Sequence, residues 1–249
     1  MSKRSSLSYL RYFLFFLALT SLACGLSPFS SPTPTPTPDV PASTLYYNVR
    51  VFTYNLEPGS TVPGTRLDYV GSTGDSHQVR INGQDAMRQT NESFLWDGII
   101  GQGVYANYRL RLAVTMGLMR SQLVATGPVE LYIFNPEPEA MTSLDGMIPT
   151  RALYYANIPV SYGPVSVGGR VPGTTLVFEE VTGQGVRLSG TTGYPYWAIG
   201  DTVHWQGRLR ENVFIRLRMP ISQADERGLR LGGEAELWVV PPAYQPPRS

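Results

Sequence analysis

The chain has 249 residues, 42% hydrophobic and only 16% charged, with 25 Gly, 21 Pro, 15 Tyr and a single Cys. That length fits one or two domains, and the Gly, Pro and aromatic content favours strands and turns over helix. The net charge is +1, and setting aside Lys3, Arg4 and Arg11 leaves 17 basic against 19 acidic residues, so the body lacks the positive field that nucleic-acid binding requires.

Lys3 is also the only lysine, which excludes Schiff-base and phosphate-cradling lysine chemistry from all that follows it. Residues 1–11 carry three positive charges, residues 12–19 read YFLFFLAL, and TSLAC follows. A basic start, a short apolar run and small residues make a secretory signal, here 1–23. The apolar run is shorter than the ~20 residues that span a bilayer.

Leu22, Ala23 and Cys24 resemble the lipobox of bacterial lipoproteins, with Leu22 one place late and Ser21 where the motif has Leu. In that family the Cys carries a diacylglyceryl thioether and becomes the new N-terminus. The resemblance implies lipid attachment at Cys24, membrane lipid as a partner and an extracytoplasmic location. Cys24 is the only thiol, so it has no partner for an intramolecular disulfide. The same stretch also reads as a signal-anchor helix over 7–26, or as simple secretion after the small-x-small Ser21-x-Ala23.

Residues 24–43 form a stalk whose alternating Pro blocks helix and sheet. As an extended spacer at ~3.1 Å per residue its Pro-rich part, Ser27 to Ser43, spans roughly 50 Å, which would hold a folded head clear of a membrane.

The body repeats itself. LYY occurs at 45–47 and 153–155, VPGT at 62–65 and 171–174, and VRI-x-G at 79–83 answers VRL-x-G at 186–190. W-x-G occurs at 96–98 and 205–207, RLR at 109–111 and 216–218, and EL plus an aromatic at 130–132 and 236–238. Six matches in one order at nearly constant spacing predict two copies of one module, 44–136 and 153–242. Residues 137–152 are a linker with room for a short helix or a turn, and 243–249 a Pro-rich tail.

Within each copy the period is two. Tyr108, Leu110 and Leu112 share a face opposite Arg109 and Arg111; Ile215, Leu217 and Met219 oppose Arg216 and Arg218. Val129, Leu131 and Ile133, and likewise Ala235, Leu237 and Val239, are predicted to point inward. The fold class is all-β, with two tandem antiparallel sandwiches or small barrels of six to eight strands each.

Recognisable catalytic chemistry is sparse. With two His and no Cys after Cys24, Cys/His zinc or copper sites are excluded from a monomer, and no metal or cofactor is expected. No G-x-S-x-G elbow is present. His77 reads as a solvated turn residue, and His204 as flanking a half-buried face. Glu179 and Glu180 are adjacent on a strand and should point to opposite faces, whereas Glu234 and Glu236 share one. The candidate binding face is Arg109, Arg111 and Tyr132 in the first copy and Arg216, Arg218 and Trp238 in the second. Aromatic rings beside Arg suit a glycan or protein ligand. The plainer reading sets the rings beneath Arg stems and pairs Glu130 and Glu236 with the neighbouring arginines.

The sequence therefore predicts a non-enzymatic, membrane-anchored binding or envelope scaffolding protein. A carboxylate-based polysaccharide hydrolase and a self-assembling subunit are the alternatives.

Overall fold

A computed structural model describes residues 43–242, apart from Asp75, residues 117–120 and Thr192. The signal, Cys24, the stalk up to residue 42 and the tail 243–249 lie outside the described residues. The chain is all-β, with no helix among the described residues.

The first half contributes β1 (Thr44–Asn55), β2 (Ser60–Thr61), β3 (Leu67–Thr73), β4 (Ser76–Ile81), β5 (Gln84–Gln89), β6 (Ser93–Gly101), β7 (Val104–Met116) and β8 (Ser121–Phe134). These divide into two antiparallel sheets, ordered β1-β8-β7-β6 and β2-β3-β4-β5. A short β9 (Glu139–Ala140) follows. The second half contributes β10 (Leu153–Val165), β11 (Val177–Thr182), β12 (Gly185–Ser189), β13 (Tyr196–Trp197), β14 (Thr202–Arg210), β15 (Val213–Asp225) and β16 (Gly228–Val239). Its sheets run β10-β16-β15-β14-β9 and β11-β12-β13.

The large sheets of the two halves thus repeat one strand order: first, last, next-to-last, and the strand before that. Register repeats too, with Tyr46 opposite Tyr132 and Tyr154 opposite Trp238. Trp96 lies opposite Tyr108, and Trp205 opposite Leu217.

Alternation makes the core. Tyr108, Leu110, Leu112, Val129, Leu131 and Ile133 are fully buried, as are Ile215, Leu217, Met219, Ala235, Leu237 and Val239. The apolar residues of both halves belong to one continuous cluster. Each first strand carries a bulge, after Val49 in β1 and after Tyr155 in β10. One extra residue flips the pleat, so inward positions change from odd to even along β1: Tyr47 and Val49, then Phe52 and Tyr54.

The halves interlock at matched places. A Cβ on Gly64 would lie 2.6 Å from Leu153 Cδ1, and one on Gly173 would lie 2.8 Å from Leu45 Cδ1. Each VPGT turn therefore packs its glycine against the LYY strand of the other half. Arg210 crosses the same boundary, donating from Nη1 to the carbonyls of Phe134 (2.5 Å) and Asn135 (2.9 Å).

The segment expected as a linker holds no helix; it turns at 144–147 and 149–152, and its first residues add a strand. Glu139–Ala140 pairs antiparallel with the edge of β14, Met141 N donates to Gln206 O at 3.0 Å, and Leu144 is buried. Pro136 and Pro138 remove backbone donors, which suits an extended strap better than a helix.

Candidate functional site

The outward rows of the two large sheets carry the polar and aromatic side chains. In the second half Tyr154 stacks on Trp238, centroids 5.2 Å apart and planes at 25°. Tyr154 Oη donates to Glu236 Oε1 at 2.8 Å, and Arg216 Nη1 donates to Glu236 Oε2 at 3.1 Å. The Arg216 guanidinium lies 5.6 Å from the Trp238 ring centroid, and its Nε reaches Gln206 Oε1 at 3.4 Å. Burial and the Glu236 carboxylate raise the Tyr154 phenol above its ordinary value.

The first half builds a related cluster from different residues. Tyr46 and Tyr132 meet at 5.2 Å with a 50° tilt, and Tyr105 joins Tyr132 at 6.1 Å. Asn107 Nδ2 donates to Glu130 Oε2 at 3.1 Å, with Arg109 Nη2 3.6 Å from the same oxygen. Tyr105 Oη donates to Asp97 Oδ2 at 2.6 Å; burial, then that carboxylate, pushes Tyr105 up to about 12.

Strand register decides which predicted residues gather. Glu236 faces Arg216, and Glu130 faces Asn107. The position matching Arg216 is therefore Asn107, and Arg109 matches Arg218, two residues out of step with the RLR spelling. Arg111 lies opposite Thr126, six residues along β8 from Tyr132, or roughly 20 Å at strand rise. Arg218 lies opposite Glu234, four residues from Trp238. Both arginines are exposed on the expected face but stand apart from the aromatic clusters.

Trp238 and Arg216 come together in the second half, and Tyr132 with, at the margin, Arg109 in the first. The plainer reading also holds in part: Trp238 lies between Tyr154 and Arg216, and Glu130 and Glu236 do pair with Arg109 and Arg216. The more exposed ring of each pair is Tyr46 (50% exposed) or Tyr154 (48%), with Tyr132 and Trp238 half-buried beside them. Tyr46, Tyr154, Tyr105 and Asn107 escaped the sequence reading. The signal for the first two was the repeated LYY, whose middle residue alternates outward.

Two expectations need correction. His77 is not a solvated turn residue: it sits in β4, 8% exposed, between Ser72 Oγ (3.4 Å) and Thr90 Oγ1 (3.2 Å), edge-on to Tyr69. Glu179 and Glu180 do not diverge. A bulge between Phe178 and Glu180 brings both carboxylates to Arg187, at 2.9 and 3.1 Å. His204 is exposed and faces Arg218 across the β14–β15 pair.

Among the described residues no group of three or more His, Cys, Asp or Glu is placed to hold a metal ion. Comparison of the chain with protein-family models, with curated proteins and with solved structures finds no match.

Proposed function

We propose that this chain is an extracytoplasmic binding protein, held to a membrane by lipid on Cys24 and displayed on its Pro/Thr stalk, with two weak ligand sites on its duplicated head. The observation that carries the reading is one surface arrangement made twice. An exposed tyrosine rests on a second ring, beside a carboxylate that faces an amide or guanidinium across the sheet. Tyr46 and Tyr154 offer ring faces for the C–H face of a sugar, and Arg109 and Arg216 offer donors for its hydroxyls. Two such sites on one head would add by avidity against a repeating glycan.

The head works by binding rather than by catalysis. Both Glu236 oxygens accept from donors within the cluster, Tyr154 and Arg216, which fixes the carboxylate as part of a recognition surface.

Two experiments test the proposal. Labelled palmitate fed to a lipoprotein-competent bacterium should enter the wild-type chain and not Cys24→Ser; equal label in both would refute the anchor. Titration of the purified chain with a panel of envelope oligosaccharides should perturb the NMR signals of Tyr46, Tyr154 and Trp238. A panel that perturbs none of them would refute the face.

A further inference from the structure

The fold itself shows how one W-x-G edge strand is covered. On β14, the strap runs antiparallel with Ala140 opposite Gly207 and Glu139 opposite Arg208. Glu137 N donates to Leu209 O (2.8 Å), Met141 N donates to Gln206 O (3.0 Å), and Gln206 Nε2 donates to Thr142 O (2.7 Å). The Glu139 carboxylate takes the Arg208 guanidinium at 2.6 Å. The strap comes so close that a Cβ on Gly207 would lie 2.1 Å from Glu139 O.

The matching strand of the first half is β6, with Trp96, Asp97, Gly98 and Ile99 in the places of Trp205, Gln206, Gly207 and Arg208. It ends its sheet, and among the described residues no strand pairs with its outer side. The three atoms nearest to a Cβ on Gly98 all belong to the Trp96 ring, not to another strand. Beside Trp96, Ile99 and Ile100 lies a groove of about 920 Å³, and Ile99 is 73% exposed. Arg66 lines the groove with no carboxylate within ion-pairing distance among the described residues.

We propose that this edge binds an extended segment of a partner polypeptide that carries a carboxylate, added as a strand on β6. The backbone of Asp97 and Ile99 supplies the ladder, as that of Gln206 and Arg208 does on β14. Arg66 supplies the cation that Arg208 supplies there. A second copy of β6 is a poor occupant: laid antiparallel about its middle residue, the strand sets Asp97 against Asp97, and like charges directly opposite are destabilising.

The test uses the full chain and a labelled peptide with the sequence of residues 136–144, PEPEAMTSL, followed by fluorescence anisotropy. The expected result is saturable binding that weakens at least ~10-fold for Ile99→Pro, which removes an outward donor at an edge where Pro is tolerated. About threefold weakening is expected for Arg66→Gln. A peptide N-methylated at its Met amide should lose at least ~10-fold as well, and this change cannot unfold the protein. No saturable binding, or binding indifferent to N-methylation, overturns the proposal. Binding that tightens ~10-fold on removal of residues 243–249 also overturns it, by naming the chain's own tail as occupant. A peptide that dissociates a dimer of the chain would overturn it in favour of a second copy.

Discussion

Tyr108 of the first half and Tyr155 of the second meet hydroxyl to hydroxyl, 2.5 Å apart, inside the core. Both are fully buried, and the Phe52 ring packs against each of them. Two large polar-tipped side chains from different halves thus satisfy one another where water cannot reach. Tyr47 and Tyr162 make a second cross-half pair, their buried hydroxyls side by side without a hydrogen bond of normal geometry.

The Tyr108–Tyr155 bond predicts a non-additive mutant cycle. Tyr155→Phe should cost about 1–3 kcal/mol, because the Tyr108 hydroxyl is left buried and unpaired. The double change Tyr108→Phe/Tyr155→Phe should cost less than the sum of the two single changes. Urea unfolding of the four variants measures the coupling.

The same tyrosines set an alkaline limit. Burial raises the phenols of Tyr47, Tyr108, Tyr155 and Tyr162 above the ordinary value near 10, Tyr162 to about 12. The folded state binds these protons more tightly than the unfolded state does. Their contribution is therefore fully present below about pH 10 and is lost as pH climbs through the folded values. Urea midpoints should stay flat on this account up to about pH 9 and fall above 10. Absorbance at 295 nm should show a late class of tyrosines ionising together with unfolding.

The crossed VPGT contacts give a stability test of the interlock. Gly64 (φ +77°) and Gly173 (φ +72°) occupy left-handed backbone, and an added Cβ would press on Leu153 or Leu45 of the other half. Gly64→Ala and Gly173→Ala should each destabilise by about 1–3 kcal/mol. Gly59→Ala has comparable strain (φ +83°) but open space, and should cost less. Thermal unfolding of the three variants checks the order.

The strap makes a contrasting pair of predictions. Glu139→Gln breaks an exposed ion pair and should cost no more than about 1 kcal/mol. Gly207→Ala drives a methyl into the Glu139 carbonyl and should free the strap. Hydrogen exchange at Met141 would then accelerate in Gly207→Ala and barely change in Glu139→Gln.

The sequence made the core legible, because period-two alternation names the buried residues directly: Leu110 and Leu112 in one half, Leu217 and Met219 in the other. The site was legible only in part. Whether Arg109 or Asn107 stands across from Glu130 depends on register, which bulges and hairpin lengths set and which a matched RLR spelling misreports. The outward Tyr46 and Tyr154 were hidden for the same reason, since which ring covers which is a property of strand pairing. The strap was hidden because its two prolines and two glutamates read as loop, and only the edge of β14 makes it a strand. His77 looked solvated because its neighbours Asp75 and Ser76 are polar. Its burial follows from Tyr69, Ser72 and Thr90, which strand pairing brings in around it.

The central claim is that the repeated tyrosine–carboxylate faces are ligand sites, and calorimetric titration tests it most directly. With an oligosaccharide that binds the wild-type chain, the account predicts two sites per chain, one in Tyr154→Ala and none in Tyr46→Ala/Tyr154→Ala, with the fold unchanged. Undiminished affinity and stoichiometry in the double variant would contradict it.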